Sequence, residues 1–289
     1  MDEQQLAENF DSQRRRLRSV AYRILGSLGD AEDAVQEAWL RLQRADSVEI
    51  ENLDAWLTTV TARIALNHLR DSRARHEHAF EGFSPEPVVS PESGDDPEHE
   101  ALLADAVGIA LQVLLETLSP AERLAYVLHD MFAVPFSEIA AILDRSSDAA
   151  RQLASRARRT VRSAVPEPEP DLTKQRAVVD AYFAASRDGD LDSLMEVLAP
   201  DVVLRSHRRD GAPIVLNGAE QVARGAMMAQ ALARFVHPAL INGTCGVVAF
   251  DGETPFAILA FTIADGRAKT IDVFNDRELV PRLVRPDVR

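Results

Sequence analysis

The stretch DRSSDAARQLASRARRT, Asp144 to Thr160, carries five arginines and two aspartates, a local net of +3, in a chain of 289 residues whose formal net charge is -14. Its apolar positions Ala150, Leu153, Ala154 and Ala157, continued by Val161, fall on one face of a helix. Arg151, Gln152, Ser155, Arg156, Arg159 and Arg162 are left for the other faces. Just upstream, VPFSEIAAIL sets Phe136, Ile139, Ala140 and Leu143 at i, i+3, i+4 and i+7, and the polar DRS makes a short turn. Two short helices, a tight turn and a small-residue face that lets the second helix sit close on the first predict a helix-turn-helix. In that geometry the arginines reach backbone phosphates, while Arg151 and Gln152, near the helix N-terminus, meet base edges. Asp148 suits the positive end of the helix dipole but opposes a phosphate. From pattern alone, a helical hairpin with a solvated basic face remains the alternative.

Further upstream, LSPAERLAYVLHD has Ser119 as N-cap, Pro120 at the first helical position and Glu122 three residues after the cap, a helix start. The segment before this module, EGFSPEPVVSPESGDDPEHE (81–100), holds seven acidic and no basic side chains and four prolines. It reads as an irregular linker unable to bury a core of its own. Its apolar Phe83 and the prolines of FSPEP nonetheless predict a docking segment, Phe83, Pro85, Glu86 and Pro87. A second break, AVPEPEPD (164–171), has prolines at alternate positions and favours an extended spacer. The expected organisation is a helical module over 1–80, a linker over 81–97, the helix-turn-helix module over 98–165, a proline spacer over 166–170 and a C-terminal module over 171–289.

The first module is entirely helical in pattern. Leu17, Val20, Ala21, Ile24 and Leu25 share one face of a helix ending near Gly26 and Gly29. From Asp30, Ala34, Val35, Ala38, Trp39 and Leu42 face one way, and Asp33, Gln36, Glu37 and Arg41 the other. A third helix, from about Leu53 to Arg73, turns Ala55, Trp56, Thr59, Val60, Ile64, Ala65 and Leu69 inward and gathers Arg63, Asn67, His68, Arg70, Arg73 and Arg75 at its far end. A bundle whose arginines solvate its surface is the bland alternative.

The C-terminal module begins with helices, over Leu172–Phe183 and after Asp190 or Asp192, with Gly189 and Pro200 as stops. A strand over Val202–Ser206 and a helix over about Ala219–Phe235 follow. Strand-like runs close the chain around Ala239–Ile241, Gly246–Phe250, Pro255–Ala264 and Arg267–Phe274, the last three joined by Asp-Gly hairpin turns. Helices followed by a meandering antiparallel sheet predict an α+β domain. Asp201, His207, Asp210, His237 and Asp272 are its acid/base candidates, and spacing alone brings no pair together.

Composition excludes several classes. Hydrophobic residues at 46% and charged residues at 27% describe a globular chain, and the longest apolar run, Phe256–Ala264, is about half a membrane span. The start, MDEQQLAENF, predicts no secretory signal. Cys245 stands alone, which excludes an internal disulfide or a cysteine-based zinc site and fits a reducing cytoplasm. His76–His78 (HEH) lacks further ligands and reads as a solvated helix end. No metal and no cofactor are expected.

GDAEDAVQEAWLRL, AWLTTVTARIALNHLRDSRAR and LSPAERLAYVLHDMFAVPFSEIAAILDRSSDAARQLASRARR together resemble regions 2.2, 2.3–2.4 and 4 of the group IV (extracytoplasmic function) sigma factors of bacterial RNA polymerase. About 160 residues match, in the right order. The resemblance implies a multidomain protein without an active site that joins polymerase core and promoter DNA. It assigns Asp33, Gln36, Glu37, Leu40 and Arg41 to the clamp helices of the polymerase beta-prime subunit. Arg63, Asn67, Arg70 and Arg73 fall to the −10 element, and Ser147, Arg151, Gln152, Ser155, Arg156 and Arg159 to the −35 element. Trp56 fits the core better than a base-stacking role.

AYFAASRDGDLDSLMEVLAPDVVLRSH (181–207) is similar to the NTF2-like, SnoaL-type cone fold, whose pockets host enzymes in some relatives and ligands or packing in others. An unknown small ligand is therefore a possible partner. Sigma factors of the mycobacterial sigma factor J group carry such a domain, which implies regulation in cis. The group's linker motif WLPEP stands here as FSPEP, its DGGG as Asp210-Gly211-Ala212, and its NPDKL as Asn275–Leu279 (NDREL). A self-standing helix-turn-helix repressor and a SnoaL-type enzyme fused to a DNA-binding region are the rival functions.

Overall fold

The computed structural model describes residues 3–45, 50–76, 85–92, 108–164, 168–207 and 214–288, without the side chains of 3, 72–76 and 164. The chain divides into two compact units, residues 1–79 with 112–164, and residues 80–111 with 165–289. The first unit is helical: α1 (Glu3–Leu25), α2 (Leu28–Arg44) and α3 (Leu53–His76), then most of α4 (Ile109–Thr117), α5 (Pro120–Tyr126) with a π-helical continuation over Val127–Met131, α6 (Phe136–Leu143) and α7 (Ser147–Ala164).

Local chemistry sets the helix ends. Helix α2 starts two residues before the expected Asp30, because the Ser27 hydroxyl accepts from the Asp30 amide (3.3 Å) and caps the turn. Helix α5 has the expected reciprocal cap: Ser119 Oγ accepts from the Glu122 amide, and Glu122 Oε2 accepts from the Ser119 amide, both at 3.3 Å. Between α6 and α7, Asp144 adopts left-handed φ 53° and ends the helix. All five apolar positions of α7 are buried, and Arg151, Gln152, Ser155, Arg156 and Arg159 are exposed.

Helix α3 departs from its expected stripe. Leu57, Thr58, Thr61, Ala62 and Leu66 are buried with Ile64, Ala65 and Leu69, whereas Thr59 and Val60 are half-buried. The cause is crowding on two sides: α3 packs against α1 and α2 and also against α5 and α6, which widens its buried face beyond a single stripe. Trp56 packs on the cluster of Leu6, Phe10, Leu17, Val35, Leu42 and Leu57, as a core residue would.

A buried cation ties the helical modules together. Arg123 of α5 is 0% exposed; its Nε donates to the Arg23 carbonyl of α1 (3.0 Å), and its Nη1 lies 2.6 Å from Glu116. A planar, always-charged group is suited to such a site, but removing one partner strands the other.

The second unit holds β1 (Val89–Ser90), α8 (Leu172–Asp188), α9 (Leu191–Val197), β2 (Leu198–His207), β3 (Ile214–Asn217), α10 (Ala219–Met228) with a 3-10 turn over Gln230–Arg234, β4 (Val236–Ile241), β5 (Thr244–Asp251), β6 (Thr254–Ala264), β7 (Arg267–Phe274) and α11 (Val280–Leu283). The strands make one sheet in the order β1-β4-β5-β6-β7-β2-β3. Val179, Tyr182, Phe183, Leu194, Val222 and Ala223 from the helices share a core with Val247, Phe261, Ile263 and Ile271 from the sheet. This is the α+β architecture expected, with three corrections.

The sheet is mixed rather than purely antiparallel, because β2 fills the free edge of β7 in the same direction, Arg205 opposite Asp272. Strand β2 also runs through Pro200, expected as a stop. Its register breaks between Leu198 and Val203, where a missing amide costs no ladder bond. The third correction concerns the linker. Residues 81–97 read as irregular, yet Val89 and Ser90 pair antiparallel with Ile241 and Leu240 on the edge of the sheet. The Val88 amide donates to Asn242 Oδ1 (2.7 Å), the Asn242 amide donates to the Val88 carbonyl (2.8 Å), and Glu92 pairs with Arg176.

Replacing Arg123 with Ala is expected to cost about 3–5 kcal/mol, as for other broken buried ion pairs. Urea unfolding followed by helical circular dichroism checks this; an unchanged midpoint would deny the guanidinium its structural role.

Candidate nucleic-acid interface

Three exposed faces of the helical unit hold the side chains singled out in the sequence. On α7, Arg151 Nη1 donates to Asp148 Oδ1 (2.7 Å), and its guanidinium carbon stands 5.3 Å from the Phe136 ring centroid of α6. Arg156 Nε donates to Glu122 Oε1 (2.9 Å), and Arg158 Nε to Asp130 Oδ1 (2.7 Å). The Ser119 hydroxyl first, with Arg156 adding to it, holds the Glu122 carboxyl below the usual carboxylate range against partial burial. Gln152, Ser155 and Arg159 are exposed, and Ser147, half-buried, opens the helix.

On α3, Arg63, Asn67 and Arg70 recur at i, i+4 and i+7 and are exposed. Arg63 Nη2 donates to the Ala141 carbonyl of α6 (2.8 Å), so this face lies against the helix-turn-helix. Nothing in the sequence signalled that contact, because a backbone acceptor has no residue signature. The Arg73 side chain and the HEH side chains fall outside the described residues. On α2, Asp33 and Gln36 are exposed, Glu37 accepts from Arg41 (2.5 Å) and lies 3.7 Å from His68. Leu40, 43% exposed, is the one large apolar side chain left in solvent among the described residues of this unit.

Residues 10–75 match the family model for sigma-70 region 2, and residues 109–161 match that for sigma-70, region 4. The ECF RNA polymerase sigma factor SigJ of Mycobacterium tuberculosis is 39% identical, over 97% of this chain and 96% of its own. The probable ECF sigma factor SigI of the same species is 35% identical, over 88% and 87%. The crystal structure of SigJ superposes with a TM-score of 0.77 at 36% identity, over 94% of this chain and 97% of that one. The chain belongs to the ECF RNA polymerase sigma factors. A sigma factor directs promoter-specific transcription initiation, so RNA polymerase core and promoter DNA are its partners. Neither the repressor nor the fused-enzyme alternative finds support. Sigma factors are in general not enzymes. No described helix is long and apolar enough to cross a membrane, and no described cluster of His, Cys, Asp or Glu could hold a metal ion.

The C-terminal unit of this sigma factor does bring one candidate acid/base pair together. His207 Nε2 lies 2.9 Å from Asp272 Oδ1, and Arg205 reaches both Asp272 oxygens at 2.7 and 2.9 Å. Asp272 is 0% exposed, and the His207 ring stacks on Phe274 at 4.6 Å. Burial pushes the Asp272 carboxyl up, but hydrogen bonds from His207 and Arg205, with the Arg205 charge, outweigh it and hold it below the ordinary range. Side chains alternate across a strand. Leu204 and Val273 line a cavity of about 950 Å³ on one face of the sheet, so Arg205, His207 and Asp272 project from the other. The remaining candidates stand apart: Asp201 pairs with Lys269 (3.4 Å), His237 packs edge-on to Phe250, and Asp210 lies outside the described residues.

The triad therefore acts on stability. Its contribution is complete above the ordinary aspartate pKa, near 4, and fades as pH falls through the depressed folded value. Asp272→Asn is expected to lower stability by about 3 kcal/mol at pH 7, with the gap to the parent narrowing below about pH 4. Thermal melts across pH check this, and a gap that stays constant to pH 2 would remove the carboxylate from the account.

Proposed function

We propose that this sigma factor reads the −35 element with α7 and the −10 element with the far end of α3, and that its C-terminal unit tunes the two by holding the segment that joins them. The observation that carries this is the pairing of Val89–Ser90 with the sheet edge: a segment joining two DNA-reading modules is hydrogen-bonded into a third body. Pro85 and Pro87 are buried and Glu86 half-buried beside it, which supports FSPEP as the docking segment, although Phe83 lies outside the described residues. Asp33, Gln36, Glu37, Leu40 and Arg41 would meet the clamp helices of the beta-prime subunit, with Leu40 as the apolar anchor. Ser147, Arg151, Gln152, Ser155, Arg156 and Arg159 would face the −35 major groove, and Arg63, Asn67, Arg70 and Arg73 the parting −10 strands. The protein would act in the cytoplasm and catalyse nothing. That the acid/base pair formed among the described candidates is buried away from the cavity supports the latter, since a catalytic pair must reach a substrate. A small ligand would occupy that cavity.

Geometry also asks the helical unit to open. The two elements lie about 25 base pairs apart, roughly 85 Å along B-DNA at 3.4 Å per step, whereas Arg63 on the −10 face is bonded to α6 beside the −35 helix. Modules of this size are about 30 Å across, so they must part on polymerase to reach both elements. The linker then sets how far they separate.

Asn242→Gly tests the linker's role. Glycine tolerates the left-handed φ of 49° at that position but cannot accept from the Val88 amide. Hydrogen exchange over residues 88–90 should accelerate by about tenfold for the lost bond. In reconstituted transcription with core polymerase, the preference among promoters of different spacer length should change. Faster exchange with an unaltered spacer preference would refute regulation through the linker. For the −35 helix, Arg156→Ala in the holoenzyme should reduce the slope of log affinity against log salt by about one; an unchanged slope would take Arg156 off the phosphates.

A further inference from the structure

Arg151, near the start of α7, lies at the end of a stack of side chains on the helix-turn-helix. The His129 and Phe136 rings lie face to face, with centroids 3.8 Å apart and planes 28° from parallel. The Arg151 guanidinium stands over the Phe136 ring, its carbon 5.3 Å from the centroid. Both rings are half-buried, so the stack sits at the edge of the core rather than inside it.

The backbone leaves its regular path to build this stack. Val127–Met131 continues α5 as a π-helical turn, a form frequent at functional sites. Ala133 then takes a left-handed φ of 55°, a conformation unfavourable for any residue with a Cβ. The Val134 amide donates to the Leu128 carbonyl (2.9 Å), and His129 Nδ1 donates to the Val134 carbonyl (3.1 Å). The histidine is thereby fixed through both backbone and ring, and it gives Phe136 a rigid floor.

Arg151 is held from two directions. Asp148 Oδ1 accepts from its Nη1 at 2.7 Å, and the Phe136 ring offers its negative face. Its side chain is nonetheless 60% exposed, so these contacts orient it without burying it. A free arginine samples many rotamers, and any bond it makes must first offset the entropy of ordering it. To meet two acceptors on one base edge, a guanidinium needs its plane fixed as well as its position. The ring sets the plane, and the carboxylate one helical turn earlier sets the direction.

We propose that Phe136, backed by His129, is a positioning residue for promoter reading: it holds the Arg151 guanidinium in the plane in which it meets a base edge of the −35 element. The inference rests on the assignment of α7 to that element. It extends the determinants of specificity to α6, outside the reading helix itself. A stack that merely stabilised the turn would act on every promoter alike.

The test is selection among promoters with a randomised −35 element by holoenzyme reconstituted from the full chain and core polymerase. Arg151→Ala is expected to remove the preference at one base position. Phe136→Leu keeps apolar bulk without a ring and should reduce the preference at that same position about threefold, the worth of an exposed cation–π contact. Preferences elsewhere, and the slope of log affinity against log salt, should hold. Phe136→Tyr, which keeps the ring, should retain the parent's preference. In an Arg151→Ala background, Phe136→Leu should change base preference no further. An undiminished preference in Phe136→Leu overturns the positioning role, as does a tyrosine variant no better than the leucine one. A loss spread over all positions or a lowered salt slope would mark a structural role and overturn it equally. Each of these results leaves the base contact of Arg151 standing. If instead Arg151→Ala keeps every preference, that contact fails and the positioning role falls with it.

Discussion

A sheet edge presents unpaired amides and carbonyls, and these must be covered, blunted or given to another segment. In this sigma factor the edge at β4 receives Val89–Ser90, so the backbone demand of one unit is met by the segment that connects the two modules of the other. The reciprocal bonds between Val88 and Asn242 close the pairing at one end, and the Glu92–Arg176 ion pair lies toward the other. Arg176 also donates to the Gly246 carbonyl (3.0 Å), so the anchor belongs to the body of the sheet. A polar, proline-rich segment with no core of its own acquires a fixed path only because its backbone bonds are satisfied there. On the proposed reading, the reach of the two helical modules then depends on how firmly this edge is held.

Much of this was legible in the sequence wherever local chemistry decides. The five buried positions of α7, the capping box at Ser119 and the Asp-Gly turns each depend on neighbours within four residues, and each stands where pattern reasoning puts it. What pattern could not supply was everything that depends on a distant partner. Strand β3 is four residues of mostly exposed side chains, visible only through its pairing with β2. Linker strand β1 is two residues long, below any periodicity. The parallel β2–β7 pair joins segments about sixty residues apart. His207 and Asp272 were separate candidates until that register brought them to 2.9 Å.

Charge is the remaining constraint. The chain is acidic overall, and the arginines proposed to meet DNA are already engaged: Arg151 with Asp148, Arg156 with Glu122, Arg63 with the Ala141 carbonyl. Exposed pairs of this kind contribute little to stability, about 0–1 kcal/mol each, so they are easily exchanged for phosphates. Their effect is one of threshold. On the proposed reading each arginine would give up a partner before contacting DNA, and Glu122, whose capping bonds favour the carboxylate, would stay beside α7 as a competitor. A lone encounter with duplex would repay those exchanges poorly, because the two proposed readers could not engage both elements while α3 lies on α6. On the proposed reading, polymerase would change the balance by offering a docking surface for the α2 face and by holding the separated modules at promoter spacing. Weak internal pairing, an acidic surround and a linker pinned to the sheet would thus act in one direction under the proposed reading, making DNA binding conditional on assembly with the enzyme.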